Sequence, residues 1–136
     1  MTIKNKTYII SVSLKKGCYR HLEVPSDITL FELHEEILYA FEFIDNHAHA
    51  FFMDNKAWSQ EQAYYSKIID DADKFSVDYT VGQVLKDKQK FKYVFDFGAE
   101  WLFQCGVLRI EDRICDTGDI IRSVGEPLEQ YDYFDF

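Results

Sequence analysis

No run of about 18 apolar residues occurs anywhere in the chain, so no membrane-spanning helix is expected. Proline is nearly missing: Pro25 and Pro127 are the only two, which leaves most of the chain free to enter strands and helices. Glycine is sparse as well, six in 136 residues, and no phosphate-cradling glycine loop or flexible linker can be assembled from them. The cysteines Cys18, Cys105 and Cys115 are three, an odd count without a Cys-x-x-Cys pair. A structural zinc site wants four ligands at short paired spacing, so three reduced thiols, mostly buried in or beside strands, are expected. Basic residues are the minority, with 15 Lys and Arg against 24 Asp and Glu and a net charge of −9. Phosphate is repelled by such a surface, which argues against nonspecific nucleic-acid binding. Residues 1–6 are polar and lead straight into a strand pattern, unlike a signal peptide. A cytoplasmic protein without membrane association is the expectation.

What the chain has in abundance is aromatic side chains: 12 Phe, 9 Tyr and 2 Trp. A few large rings should therefore dominate the core. The length suits one domain, 1–136, able to bury enough surface to fold alone. Charge is uneven along it. Residues 111–136 hold eight acids against only Arg113 and Arg122, and 112–136 is expected to be an irregular acidic, aromatic arm ending in Tyr131-Asp132-Tyr133-Phe134-Asp135-Phe136. Bases gather at Lys4, Lys6, Lys15, Lys16 and Arg20, and again at Lys86, Lys88, Lys90 and Lys92. The plainer reading of the second group is that it keeps a loop and a strand edge soluble.

Periodicity supplies the elements. Residues 7–14 alternate, with Tyr8, Ile10, Val12 and Leu14 on one side, and predict a half-buried strand. Lys16-Gly17 turns the chain into a second strand, Cys18 to Val24. On it Arg20 shares a face with Cys18, Leu22 and Val24, so its guanidinium must be partnered or lie at the sheet margin. Thr29, with Glu32 three residues on, forms a capping box, and Leu30, Leu33, Ile37, Ala40 and Phe41 mark the buried stripe of a helix ending near Phe43. A strand is expected over His49 to Met53, then a polar loop from Ser59 to Lys74 with a helical turn around Gln62 to Lys67. Phe75 to Tyr79 reads as a short strand. Thr80 caps a short helix, and Phe91, Tyr93, Phe95 and Phe97 give the strongest strand, turned at Gly98-Ala99 into a long partner, Glu100 to Glu111. The class is α+β: a single twisted mixed or antiparallel sheet with one main amphipathic helix on one face and a β-grasp-like opening of strand, strand, helix, strands.

Five motifs occur in order: Val12-Ser13-Leu14-Lys15; Tyr19-Arg20; Thr29-Leu30-x-x-Leu33-His34; Ala40-Phe41-x-x-x-Asp45-x-His47-x-x-x-Phe51; and Tyr93-x-Phe95-Asp96-Phe97-Gly98-x-x-Trp101. In these the chain resembles the plasmid pRiA4b ORF-3-like family, small α+β proteins of bacteria and archaea often carried on plasmids and mobile elements. The resemblance covers residues 7 to about 111. The tail, with Gly125-Glu126-Pro127 and Glu129-Gln130-Tyr131, is similar to a shorter branch that lacks a cysteine-bearing carboxy-terminal segment. The family implies little about activity, since its members are largely of unknown function. Two departures lower the expectation of catalysis: Ala99 stands where many members have Asp, and Phe103 where many have His.

Several constellations bear on function. His47-Ala48-His49, with His34, Asp45 and Asp54 near in sequence, would suit zinc, iron or manganese, although His47 and His49 can share a side without any metal. Asp96-Phe97-Gly98 spells the kinase magnesium triplet, but the chain has neither a glycine-rich loop nor a His-Arg-Asp loop. Asp70-Asp71-Ala72-Asp73 lacks the spacing of a calcium loop. Cys18 and Cys105 have no base adjacent in sequence. The favoured reading is a non-catalytic binding or protein-interaction module without a cofactor, its partner a protein or small molecule, with a groove lined by Arg20, His34, His47, Trp58, Asp96 and Trp101. The alternatives are a small metal-dependent enzyme using His34, His47 and His49, and a nucleic-acid-binding accessory protein using Lys4 to Arg20 and Lys86 to Lys92. Asp96 should be paired, with Arg20 or with backbone amides of its turn.

Overall fold

Alternating apolar residues build the first hairpin: β1 (Thr7–Lys15) pairs antiparallel with β2 (Cys18–Pro25). Gly17, at φ +81, supplies the left-handed turn residue between them. The structure, a computed structural model, describes residues 6–130. Lys4 and the aromatic tail Tyr131 to Phe136 lie outside the described residues. After the hairpin come α1 (Leu30–Phe41), β3 (His49–Phe52), β4 (Ala63–Tyr65), a 3₁₀ turn (Ser76–Asp78), α2 (Val81–Val84), β5 (Lys90–Phe95), β6 (Trp101–Glu111) and β7 (Asp119–Val124). The strands form one seven-stranded sheet ordered β4-β3-β5-β6-β1-β2-β7. Every pairing between these strands is antiparallel. The class is α+β, mostly sheet with few helices.

The expected capping box is present at α1: the Thr29 hydroxyl accepts from the Glu32 amide at 3.0 Å, and the Thr29 amide donates to the Glu32 carboxylate at 2.9 Å. Glu42, at φ 60, closes the helix in the left-handed region, which ends it two residues before the expected limit. The apolar stripe of α1 meets the inward residues of the sheet. Leu33, Ile37 and Phe41 share one buried cluster with Tyr8, Val12, Leu22, Tyr93, Phe95 and Phe103. Phe41 and Phe103 meet edge to face with ring centroids 5.1 Å apart. On the opposite side of the sheet a smaller cluster forms around Ala50, Phe52, Ala63, Tyr65 and Val94.

Four local expectations are corrected. The segment from Ser59 to Lys74 is not all loop, because Ala63–Tyr65 pairs with β3 and all three residues are buried. Three residues are too few to show alternation, so only pairing with β3 reveals them as a strand. Phe75 to Tyr79 is no strand but a 3₁₀ turn closed by Asp78 N–H to Phe75 O at 3.1 Å. The arm after residue 111 is not wholly irregular: Asp119–Val124 adds to β2 as an outer strand. Its register shifts opposite His21/Leu22, and this bulge erases the alternation that would have marked it. Finally, Lys92 does not lie on a sheet edge, since it pairs with Phe52 of β3 on one side and Gln104 of β6 on the other. Lys92 Nζ instead donates to the Gln104 amide oxygen.

Candidate functional site

Two clefts open at the ends of α1; of the sequence-derived groove residues, His34 and His47 line one and Arg20 the other, whereas Trp58, Asp96 and Trp101 are not among the residues lining either. The first cleft, about 330 Å³, is lined by His34, Asp45, His47, His49 and Ser66 among others. His34 projects from the buried stripe of α1 and is fully inaccessible. Its Nε2 lies 2.9 Å from Asp45 Oδ2 and its Nδ1 2.5 Å from the Tyr93 hydroxyl. A carboxylate only accepts, so Nε2 carries the proton and donates to Asp45, and Nδ1 accepts from Tyr93 O–H. Burial lowers the His34 pKa, with the Asp45 hydrogen bond and charge opposing it. The short His34–Asp45 contact is thus a hydrogen bond from a neutral ring rather than an ion pair.

His49 stacks on His34, with ring centroids 3.7 Å apart and planes 14° from parallel. Its Nε2 meets Ser76 Oγ at 2.8 Å, and Ser66 Oγ accepts from its backbone amide at 3.2 Å. Burial, with His34 beside it, pushes the His49 pKa down to about 2. Both rings are therefore neutral at ordinary pH, which is what lets two imidazoles lie face to face.

This arrangement bears on two kinds of chemistry. A carboxylate, an imidazole and a hydroxyl in line resemble the relay that activates a nucleophile. Here the terminal hydroxyl belongs to Tyr93, which is 0% exposed and has its pKa raised by burial. The relay ends inside the core, out of any substrate's reach. For a metal, imidazole lone pairs lie in the ring plane and must converge at about 2.0–2.1 Å. Rings stacked 3.7 Å apart point their lone pairs side by side. Among the described residues no group of three or more His, Cys, Asp or Glu is placed to hold a metal ion. His34, His47 and His49 line one cleft, but His34 has both nitrogens engaged within the protein.

Asp96 sits one residue past the end of β5, at φ 62. Its Oδ1 accepts from the amides of Gly98 and Ala99, each at 3.2 Å, and its Oδ2 lies 3.4 Å from His47 Nε2. Of the two expected partners, the turn amides hold it and Arg20 does not. Trp58 is on the other face of the sheet. It stacks edge-on against Phe97 at 4.9 Å, and its indole N–H donates to Glu100 at 3.1 Å. Trp101 faces the helix side against Phe43 at 4.9 Å. Its Nε1 is the one buried side-chain polar atom without a partner among the described residues.

The second cleft is larger, about 860 Å³, and runs between the end of α1 and β7. Arg20, Tyr39, Glu42, Phe43, Ile120 and Glu126 contribute to its walls. Arg20 is 3% exposed. Its Nε donates to Ala40 O at 3.0 Å, and its Nη1 to Tyr19 O at 2.9 Å and Val124 O at 2.8 Å. The guanidinium lies 4.9 Å from the centre of the Phe41 ring. It thereby ties β2, β7 and the negative end of the α1 dipole together. Those bonds use three of the five donors that a guanidinium offers. Both N–H groups of Nη2 remain, and no described carboxylate forms an ion pair with Arg20.

His34, His47 and Arg20 are visible in the sequence as candidates, but most of what surrounds them is not. Tyr93 and Ser76 are far away in the chain and carry no signal of their own. Glu42 and Glu126 read as ordinary surface acids. Within the lysine groups, Lys6 pairs with Asp112 at 2.8 Å, and Lys88 Nζ donates to Leu108 O at 2.5 Å. Cys18 and Cys105 are buried free thiols and Cys115 a partly buried one. Burial pushes the Cys105 thiol strongly up, which keeps it unreactive. No helix of the described residues is long and apolar enough to cross a membrane.

Comparison with known proteins adds family and fold. The sequence model of a family described as plasmid pRiA4b ORF-3-like protein matches residues 6–121. Among solved structures, the crystal structure of MM3350, a protein of unknown function from Methanosarcina mazei Go1, is similar with a TM-score of 0.71. The identity is 21%, over 88% of this chain and 70% of that one. No match is found among curated proteins.

Proposed function

Because the chain belongs to the plasmid pRiA4b ORF-3-like family, whose description specifies no reaction, we propose its function from the clefts alone. The protein is a non-catalytic binding module, cytoplasmic and associated with plasmids or mobile elements, that takes the anionic group of its ligand at Arg20. One observation carries this reading: a guanidinium buried to 3% exposure keeps both donors of Nη2 unused beside an open cleft. Burying a cation without an anion is costly, and a ligand carboxylate or phosphate would offset that cost with bidentate geometry. In contrast, the groups suited to acid–base work are closed on one another in the core. The β-grasp-like opening belongs to the same proposal. It rests on the order hairpin β1–β2, then α1, and on the apolar stripe that α1 lays against the sheet.

The test is a titration of ¹⁵N-labelled protein with acetate and with inorganic phosphate, each at constant ionic strength. Saturable shifts of the Arg20 Nε–Hε signal and of the Ser123 and Gly125 amides are expected. Absence of any such shift, with chloride as the control, would remove the reading.

A further inference from the structure

Arg20 is not the only uncancelled charge in its cleft. Glu42, the residue closing α1, and Glu126, just after β7, line the same walls. Both are exposed, and neither forms an ion pair with any described residue. The cleft thus holds a recessed cation and two rim acids that do not neutralise each other. Opposite charges held apart across a cleft complement a ligand that carries the same two charges in reverse. Tyr39, Phe43 and Ile120 supply apolar wall between them. The volume, about 860 Å³, falls in the range of small-ligand sites.

On the reading that Arg20 binds an anion, we propose that the ligand is zwitterionic and of amino-acid type: its carboxylate meets Arg20 Nη2 and its ammonium group lies towards Glu42 and Glu126. A free amino acid and the carboxy-terminal residue of a basic peptide share this chemistry. The wall is fixed in place by the chain itself. Gly125, at φ +84, packs so tightly over the hairpin turn that an added Cβ would stand 2.1 Å from Gly17 O. The segment bearing Glu126 therefore keeps its place above β2, the strand that carries Arg20.

The experiment compares four probes on the full chain: L-lysine, the peptide Gly-Gly-Lys with a free carboxylate, the same peptide as its amide, and acetate. n-Butylamine serves as a fifth, carboxylate-free probe. Lysine or the free-acid peptide should bind about tenfold tighter than acetate or butylamine, and the amide should fall to the butylamine level. Tighter binding of the peptide than of lysine assigns a chain end as the source, and the reverse assigns a free amino acid. Either supports the proposal. The double variant Glu42→Gln, Glu126→Gln removes two exposed carboxylates and should keep the fold. It should bring lysine down to the acetate level while acetate binds as before or better. Equal affinity for acetate and lysine, or a lysine affinity untouched by the double variant, overturns the zwitterion proposal and leaves anion binding standing. If neither acetate nor lysine binds, both fall.

Discussion

Acidification tests the stacked histidines most directly. His49 is held neutral by burial, its pKa pushed down to about 2 from the ordinary 6.5. The unfolded chain takes up a proton on this ring below pH 6.5, and the folded protein does not until far lower. Protons therefore bind the unfolded state preferentially, so stability is intact above pH 6.5 and falls as pH drops from there towards 2. Each unit in that window costs about 1.4 kcal/mol, so from pH 6.5 to 5 the loss from His49 alone is about 2 kcal/mol. For a chain of this size that lowers Tm on the order of 5–10 °C. His34, lowered by burial as well, acts in the same direction. Glu35 and Glu36 are raised from 4.5 and oppose the loss, but only near the lower end of the range and from more solvated positions. The assay is thermal unfolding followed by circular dichroism between pH 7 and 5, beside the variant His49→Gln. Wild type should lose Tm steadily below pH 6.5, and the variant, less stable at pH 7, should show the flatter slope. A His49 ring that takes up its proton near pH 6 in the folded protein, seen by NMR of the ring nitrogens, would refute the reasoning. So would equal slopes for the two proteins.

Three further outcomes are expected. Tyr93→Phe deletes the O–H that satisfies His34 Nδ1 and should cost about 1–3 kcal/mol in urea unfolding; an unchanged midpoint would mean that water or another donor replaces it. Gly125→Ala forces a side chain into the left-handed region and against Gly17 O. It should destabilise by at least about 1–3 kcal/mol and speed hydrogen exchange in β7 and β2 before the rest of the sheet, whereas uniform exchange would place the strain elsewhere. Thr29→Ala removes the hydroxyl that accepts from Glu32 N–H and should cost about 1 kcal/mol, read from the denaturation midpoint. Restoration by Thr29→Ser would confirm the cap.

Much of the sheet could be read from the chain because its inner strands alternate strictly. Tyr8, Ile10 and Val12, then Phe91, Tyr93 and Phe95, declare one buried face, and Thr29 with Glu32 declares the start of α1. The outer strands β4 and β7 escaped for physical reasons. One is three residues long, and the other carries a bulge, so neither repeats a period often enough to show it. The candidate sites were legible only as residue types. Arg20 stood out as a charge on an apolar face, yet its acceptors are backbone carbonyls of Tyr19, Ala40 and Val124, and carbonyls leave no trace in sequence. His34 and His49 drew attention as metal ligands because they neighbour carboxylates. Their actual partners, Tyr93 and Ser76, are brought up by folding, and it is burial of both rings where α1 meets β3 that keeps them neutral and lets them stack.

The place of β1 in the sheet order has a consequence for how the protein is made. As the chain leaves the ribosome, β1 and β2 emerge well before β6 and can zip together at once, while the other side of β1 waits for β6. Until then a strand of Tyr, Ile and Val offers open backbone groups to any passing edge. A chain interrupted before Trp101 would keep that flank open permanently, so fragments of this protein should clump where the finished molecule does not.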